Sequence, residues 1–276
     1  MDNWKRVAAL LPGVFDKDSD QKGYNVDYQH FQQPQTPRIH QLGDCWSAGN
    51  PMLAYAARTG TRRNLDALRK ANWRLVISAA GVLRTEGFSY ALDNGAWTYY
   101  QQGKTFDDRV FSLALKKYGP QADWTTIPDI VAGGHQSLDF SLSWMARVLD
   151  YSPYALLAVQ DGLLPRDVVA FLGERVGIFI GGTTAWKLDT MDQWGLLGKQ
   201  LHCWVHVGRV NTCRRIARCA SAGVTSFDGS STSRFSVTLP RLEHQRCQLA
   251  FQFQSNNRQS NARILASIMM PARHLT

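Results

Sequence analysis

The sequence has no apolar run approaching the twenty or so residues that a bilayer-spanning helix needs. Its opening stretch, MDNWKRVAALLPGVF, is too short and too interrupted for a secretory leader. No CxxC pair occurs among Cys45, Cys203, Cys213, Cys219 and Cys247, and an odd count of five argues against a disulfide framework. Together these absences predict a soluble cytoplasmic protein in a reducing compartment, with no membrane partner. Internal repeats and low-complexity tracts are also missing, which excludes a repeat array.

Acids and lysine are scarce in one region. Residues 209–276 hold ten arginines, no lysine, and only Asp228 and Glu243 as acids, so nearly all of the net charge of +9 sits there. Guanidinium groups grip phosphate in bidentate fashion, and such a segment fits a polyanionic partner. Charge alone is equally compatible with a solvated basic surface.

With 276 residues and 44% hydrophobic content, the chain can bury one substantial core. Short apolar runs rich in β-branched and aromatic residues predict strands over 73–80, 88–93, 123–131, 154–160, 176–182, 203–208 and 223–229. Helix-like stretches lie between most of them: DDRVFSLALKKYG, SLSWMARVL, PRDVVAFLGE, and NTCRRIARCASAG with Gly223 as its C-cap signal. Alternating βα units imply a parallel sheet. Seven evenly spaced strands, with an eighth near IHQLGD (39–44), favour an α/β fold closed as a single (β/α)8 barrel over an open doubly wound sheet. Residues 1–38 read as an N-terminal extension and 39–276 as the barrel with its basic C-terminal segment. Within the latter, SNNRQSNAR (255–263) is a polar linker before a short apolar helix. The acidic run DKDSD (16–20) begins like a calcium loop, but Gln21 stands where such a loop requires glycine, so it reads as a solvated loop.

Several strands end on polar residues: Asp93 in ALDNGAW, Asp129 in IPDIVAGG, Gln160 and Asp161 in VQDG, and Asp228 in SFDGSS. One aspartate at a βα junction is most simply a cap or turn residue. Four at equivalent junctions would converge on the C-terminal rim, where barrel enzymes react, and would repel one another unless a substrate separated them.

The motifs ALDNGAW, VQDG, IGG and GVTSFDGS, in that order, resemble the LTDSGGF, VQGG, VGG and GIDMFD motifs of tRNA-guanine transglycosylases. The match runs from about Asp93 to Arg234, and the short chain and SFDGSS sequence are most similar to the DNA deazaguanine transglycosylases of phages and bacteria (DpdA type). The resemblance implies exchange of guanine in DNA for a free 7-deazaguanine (preQ0-like) base, with no cofactor. It makes Asp228 the nucleophile that attacks C1′ and Asp93 the acid/base group. Trp97 would stack on the base and Asp129 would accept hydrogens from its Watson–Crick edge. Gln160 and the backbone around Gly181 and Gly182 would donate to its carbonyl. Arg234, Arg209 and Lys187 would contact phosphates. A target inside a duplex would have to be flipped out of the stack.

The tRNA enzymes carry a CxCxxC-plus-His zinc site after the nucleophile, where this sequence has only His244 and Cys247. His202 and His206 would lie roughly 13 Å apart along a strand, and Cys213 and Cys219 would point different ways on a helix, so no structural zinc is expected. His206 stands where the tRNA enzymes have glycine. The alternatives are tRNA as substrate with reduced accessory structure, a nucleic-acid-binding barrel without catalysis, and a carbohydrate hydrolase using the same aspartates. An accessory protein supplying specificity is compatible with all of them.

Overall fold

The computed structural model describes residues 52–248. The expected N-terminal extension (1–38), the DKDSD and IHQLGD segments, and the linker and helix beyond 254 lie outside the described residues. Eight strands form: β1 (Leu53–Ala57), β2 (Arg74–Ser78), β3 (Tyr90–Asp93), β4 (Thr125–Thr126), β5 (Ala155–Val159), β6 (Val176–Ile180), β7 (Val205–Val207) and β8 (Ser226–Gly229). Each is parallel to the next, and β8 returns to β1 with Leu53 opposite Ser226 and Tyr55 opposite Asp228, so the sheet closes into a (β/α)8 barrel. The seven expected strands all fall inside their predicted ranges. The eighth does not come from 39–44: it is LAYAA at 53–57, whose three alanines gave little β signal.

The helices are α1 (Arg62–Lys70), α2 (Ala96–Gln101), α3 (Asp108–Tyr118), α4 (Gly134–Tyr151), α5 (Pro165–Val168), α6 (Thr184–Leu201), α7 (Cys213–Ser221) and α8 (Ser231–Arg234). Local chemistry sets their ends. Asp107 Oδ1 accepts the Val110 amide at the start of α3, and Thr212 Oγ1 accepts that of Arg215 at the start of α7. Gly223, at φ +73°, supplies the left-handed turn just after α7. The buried Ile216 and Cys219 turn one face of α7 toward the sheet. No helix bridges β2 and β3, and no described helix is long and apolar enough to cross a membrane.

Two buried clusters follow from strand alternation. The larger lies between the strands and the helices. The smaller fills the barrel with Tyr55, Ala91, Trp124, Tyr154, Leu156 and Trp204, with Phe179 packed against it. Each buried aromatic ring contributes roughly 4–6 kcal/mol of gross apolar burial. At the N-terminal end of the barrel, Arg74 pairs with Asp123 at 2.6 Å, and Tyr55 Oη donates to the same carboxylate at 3.0 Å. Burial raises the Tyr55 pKa well above its ordinary value, so the hydroxyl stays a donor. A helix over 239–248 packs across this end. From it Glu243 accepts from Trp73 Nε1 at 2.7 Å, and Arg246 donates to the Met52 carbonyl at 2.9 Å. The arginine-rich quarter is therefore partly structural, since Arg246 is buried and Arg218 is paired with Asp192.

Gly195 in α6 is pressed against the end of α7, where an added Cβ would overlap the Ala222 carbonyl. Gly195→Ala is expected to destabilise the barrel by about 1–3 kcal/mol through overpacking, seen as a lower urea midpoint with an unchanged slope.

Candidate active site at the barrel mouth

Asp93, last residue of β3, has the inward parity of Ala91 and so projects over the mouth. The DNG tripeptide that follows builds its surroundings. Gly95 adopts φ +87°, its amide donates to Asp93 Oδ2 at 3.0 Å, and a Cβ there would collide with Ala80. Burial, reinforced by the charge of Asp228, raises the Asp93 pKa above its ordinary value, while the Gly95 amide works in the other direction.

Asn94 is the residue that sequence reasoning passed over. It is buried, its Oδ1 accepts the Ala96 amide at 2.8 Å, and its Nδ2 donates both to the Ile127 carbonyl and to Asp129 Oδ1, each at 2.8 Å. The second expected carboxylate is thus tied to the loop that carries the first. The only signal was an amide wedged between Asp and Gly in ALDNGAW. Burial, with Asp93 adding to it, raises the Asp129 pKa to about 6 despite the Asn94 bond.

On the opposite side of the barrel, β8 delivers Asp228 with one oxygen held and one free. Its Oδ1 lies 3.1 Å from His206 Nε2 and 3.3 Å from the Arg209 amide, whereas Oδ2 accepts from no described residue. His206, on β7, is fully buried beneath it. The alternation of CWVHVG places His206 on the same inward face as Trp204, which could have marked it in advance.

The remaining candidates divide. Trp97 is well exposed on α2, stacked against Tyr100 at 5.7 Å between centroids, with the Arg209 guanidinium 4.7 Å over its ring. Arg209 also donates to the Gly182 carbonyl, and holds a left-handed backbone at φ +63°. Arg234 is exposed at the end of α8 and makes no side-chain bond among the described residues.

Two expectations are corrected, and a third residue, Gln160, has one of its two amide hydrogens already committed. Lys187 does not reach outward to phosphate: it is buried, donates to the Gly208 carbonyl at 2.6 Å, and burial together with the Arg209 charge lowers its pKa to about 8. The Gly181 amide is consumed by the Val159 carbonyl at 2.9 Å, which leaves Gly182 as the unbonded backbone donor of that pair. Gln160 is buried, and its Nε2 donates to the Ile130 carbonyl at 2.9 Å, tying β5 to the loop after β4.

Asp161, also singled out by its position, is a loop clamp. It accepts the Thr183 amide and hydroxyl, each at 2.7 Å. Burial opposes its ionisation, but the two Thr183 bonds and the nearby Lys187 ammonium outweigh it and hold the pKa below the ordinary value. Among the described residues no three His, Cys, Asp or Glu side chains come together as metal ligands, and Cys247 is occupied with Glu243 at 3.1 Å.

The mouth therefore gathers Asp93, Asp129 and Asp228 with an aromatic ring, an arginine and a backbone donor at its edge. Such a set can protonate a leaving group, attack an electrophilic carbon, and accept paired hydrogens from a flat polar ring. No family model matches the sequence, and no curated protein matches it. Among solved structures, the tryptophan synthase alpha subunit of Legionella pneumophila is similar, at 13% identity and a TM-score of 0.47, over 78% of this chain and 97% of that one.

Because the folded state raises the Asp129 pKa to about 6 from 3.8, its ionised form costs stability above that range, and the cost vanishes once both states are protonated near pH 4. Asp129→Asn is expected to raise the melting temperature at pH 7 by about 2–4 °C. The gain should close between pH 6 and 4 when thermal unfolding is followed by circular dichroism.

Proposed function

We propose that the chain is a guanine transglycosylase that replaces guanine in DNA with a 7-deazaguanine (preQ0-like) base through a covalent aspartyl–sugar intermediate. The observation that carries this reading is the contrast between two carboxylates at one mouth. Both are half-buried, but Asp93 is inclined to keep its proton, while Asp228 is held at one oxygen and open at the other. Opposed environments assign acid and nucleophile.

In the first displacement Asp228 Oδ2 attacks C1′ and the C1′–N9 bond breaks. Its electron pair goes to guanine, which takes a proton from Asp93. In the second, the incoming base returns a proton to Asp93, its nitrogen attacks C1′, and the ester C–O bond breaks to regenerate the carboxylate. One glycosidic bond replaces another, so no energy source is needed and configuration is retained. Ionised Asp129, oriented by Asn94, would accept the N1–H and amino hydrogens of the base. The Gly182 amide would serve its carbonyl, and Trp97 would stack once the Arg209 guanidinium moves off the ring. The resemblance of the motifs to the DNA-modifying branch favours DNA. The exposed Arg234 beside the nucleophile loop and the basic excess suit a phosphate backbone.

The test is exchange of labelled guanine or preQ0 into duplex DNA and, separately, into bulk tRNA. Incorporation into DNA with ping-pong kinetics, lost by at least 10³-fold in Asp228→Ala, is the expected outcome. Incorporation into tRNA alone would keep the chemistry and replace the substrate. Release of free base with water as acceptor would indicate a hydrolase, and no reaction with either nucleic acid would leave a binding barrel.

Two further outcomes follow from the same geometry. Base capture should weaken as pH falls through about 6, where Asp129 takes up a proton, when measured by equilibrium dialysis of preQ0. Arg234→Gln should lower the slope of log affinity against log salt by about one unit without altering sequence preference.

A further inference from the structure

His206 lies beneath the nucleophile, and counting hydrogens along the chain of groups that holds it gives its protonation pattern. On β7 and β8 the register sets His206 opposite Ser226, with Trp204 two residues before the histidine and Asp228 two residues after the serine, all on the inward face. Trp204 Nε1 lies 2.6 Å from Ser226 Oγ, which lies 2.8 Å from His206 Nδ1, and His206 Nε2 lies 3.1 Å from Asp228 Oδ1. An indole N–H can only donate, so Ser226 Oγ accepts from Trp204. Ser226 Oγ has no other acceptor among the described residues, so its one hydrogen is assigned to His206 Nδ1, which is then the bare acceptor. The imidazole proton is left on Nε2, aimed at Asp228. The opposite tautomer would set a bare Nε2 lone pair against a carboxylate oxygen in a buried site, which is electrostatically unfavourable.

We propose that His206, fixed as its Nε2–H tautomer by the Trp204–Ser226 chain, is the positioning residue for the nucleophile. It locks Asp228 Oδ1 and leaves Oδ2 as the attacking oxygen. This rests on the transglycosylase reading for its catalytic consequence, and on geometry alone for the tautomer. When Oδ2 bonds to C1′, Oδ1 becomes the carbonyl oxygen of the ester. The His206 N–H and the Arg209 amide at 3.3 Å are then two donors already aimed at that oxygen, and they stabilise the charge that returns to it when the second displacement expels the carboxylate. His206 itself is 0% exposed and cannot touch a substrate, and Ser226, equally enclosed, cannot act as a serine nucleophile.

The ring is held on its other sides by Trp124 at 4.6 Å, Phe179 at 5.0 Å and Tyr55 at 5.7 Å between centroids. The charged and titratable groups facing it or its partner are Asp228 on β8, Lys187 from α6, Asp93 across the mouth on β3, and Tyr55 on β1, which stays protonated. Burial lowers the His206 pKa from its ordinary 6.5, Lys187 acts in the same direction, and Asp228 opposes them. The imidazole is therefore neutral through the range in which the enzyme would work.

Two measurements on the full chain decide the matter. The first is 15N NMR of the histidine ring without substrate. The expected result is a bare Nδ1 and a protonated Nε2 from pH 6.5 to 8.5, with no titration midpoint at or above 6.5. A protonated Nδ1, or an imidazolium at pH 7, overturns the assignment whatever reaction the protein performs.

The second is single-turnover formation and breakdown of the sugar–enzyme adduct. His206→Phe should slow breakdown by roughly 10- to 100-fold while leaving the Kd for nucleic acid, read from the concentration dependence of adduct formation, unchanged. His206→Gln, which keeps an N–H donor, should recover most of the rate even if its melting temperature falls as far as that of the phenylalanine variant. Wild-type rates in His206→Phe alongside an inert Asp228→Ala would sink the positioning role and leave the transglycosylase reading intact. Rates that follow melting temperature in both variants would reduce His206 to packing.

Discussion

Closure of β8 onto β1 is the constraint from which the rest of the molecule takes its form. The parallel ladder that sets Leu53 opposite Ser226 and Tyr55 opposite Asp228 joins the first described strand to the last. It removes both sheet edges and decides which residue of every strand faces inward. Once the ring is shut, Ala91 inside implies Asp93 inside, and Trp204 inside implies His206 inside. The aromatic filling of the lower barrel and the polar floor of its mouth are two levels of the same alternation. Among the described residues, the 239–248 helix and the Arg74–Asp123–Tyr55 group occupy the N-terminal end, and the candidate site residues lie at the other.

Much of this was legible in the sequence, and what was missed shares a cause. Long β-branched runs such as VGIFI declared their strands, and aspartates closing those runs marked the rim. LAYAA did not declare itself, because its place in the sheet comes from pairing with β2 and β8 and owes little to its own propensity. Lys187 read as an exposed cation because a lysine beyond a rim motif normally is one. Its burial follows from the packing of α6 against the end of β7, which no local pattern encodes. Asn94 and His206 carry the most specific contacts in the site, and both connect elements far apart in the chain: Asn94 to Asp129, 35 residues on, and His206 to Asp228, 22 residues on. Local pattern shows which face a residue takes, while its partner is known only after the barrel closes.

Three carboxylates in one mouth work against one another, and the supporting contacts limit the cost unevenly. Asp161 is drawn out of the group by Thr183 and keeps its charge. Asp228 has two donors on one oxygen, Asp129 has Asn94, and Asp93 has the Gly95 amide. Asp93 and Asp129 carry the raised pKa values, as expected where burial outweighs hydrogen bonding. The mouth is accordingly a place where stability is given up, and a polar ring whose hydrogens met Asp129 would relieve part of that strain on binding.

Arg209 combines two functions that chemistry can separate. Its amide donates to Asp228 from a left-handed backbone that costs a non-glycine residue roughly 1–2 kcal/mol, while its guanidinium lies over Trp97. The main-chain role is indifferent to the side chain, and glycine would fill it with less strain. The side-chain role is indifferent to the amide and demands a planar cation. A strained arginine standing where glycine would be easier leaves the position with two contacts to satisfy at once, the amide on Asp228 and the guanidinium over Trp97.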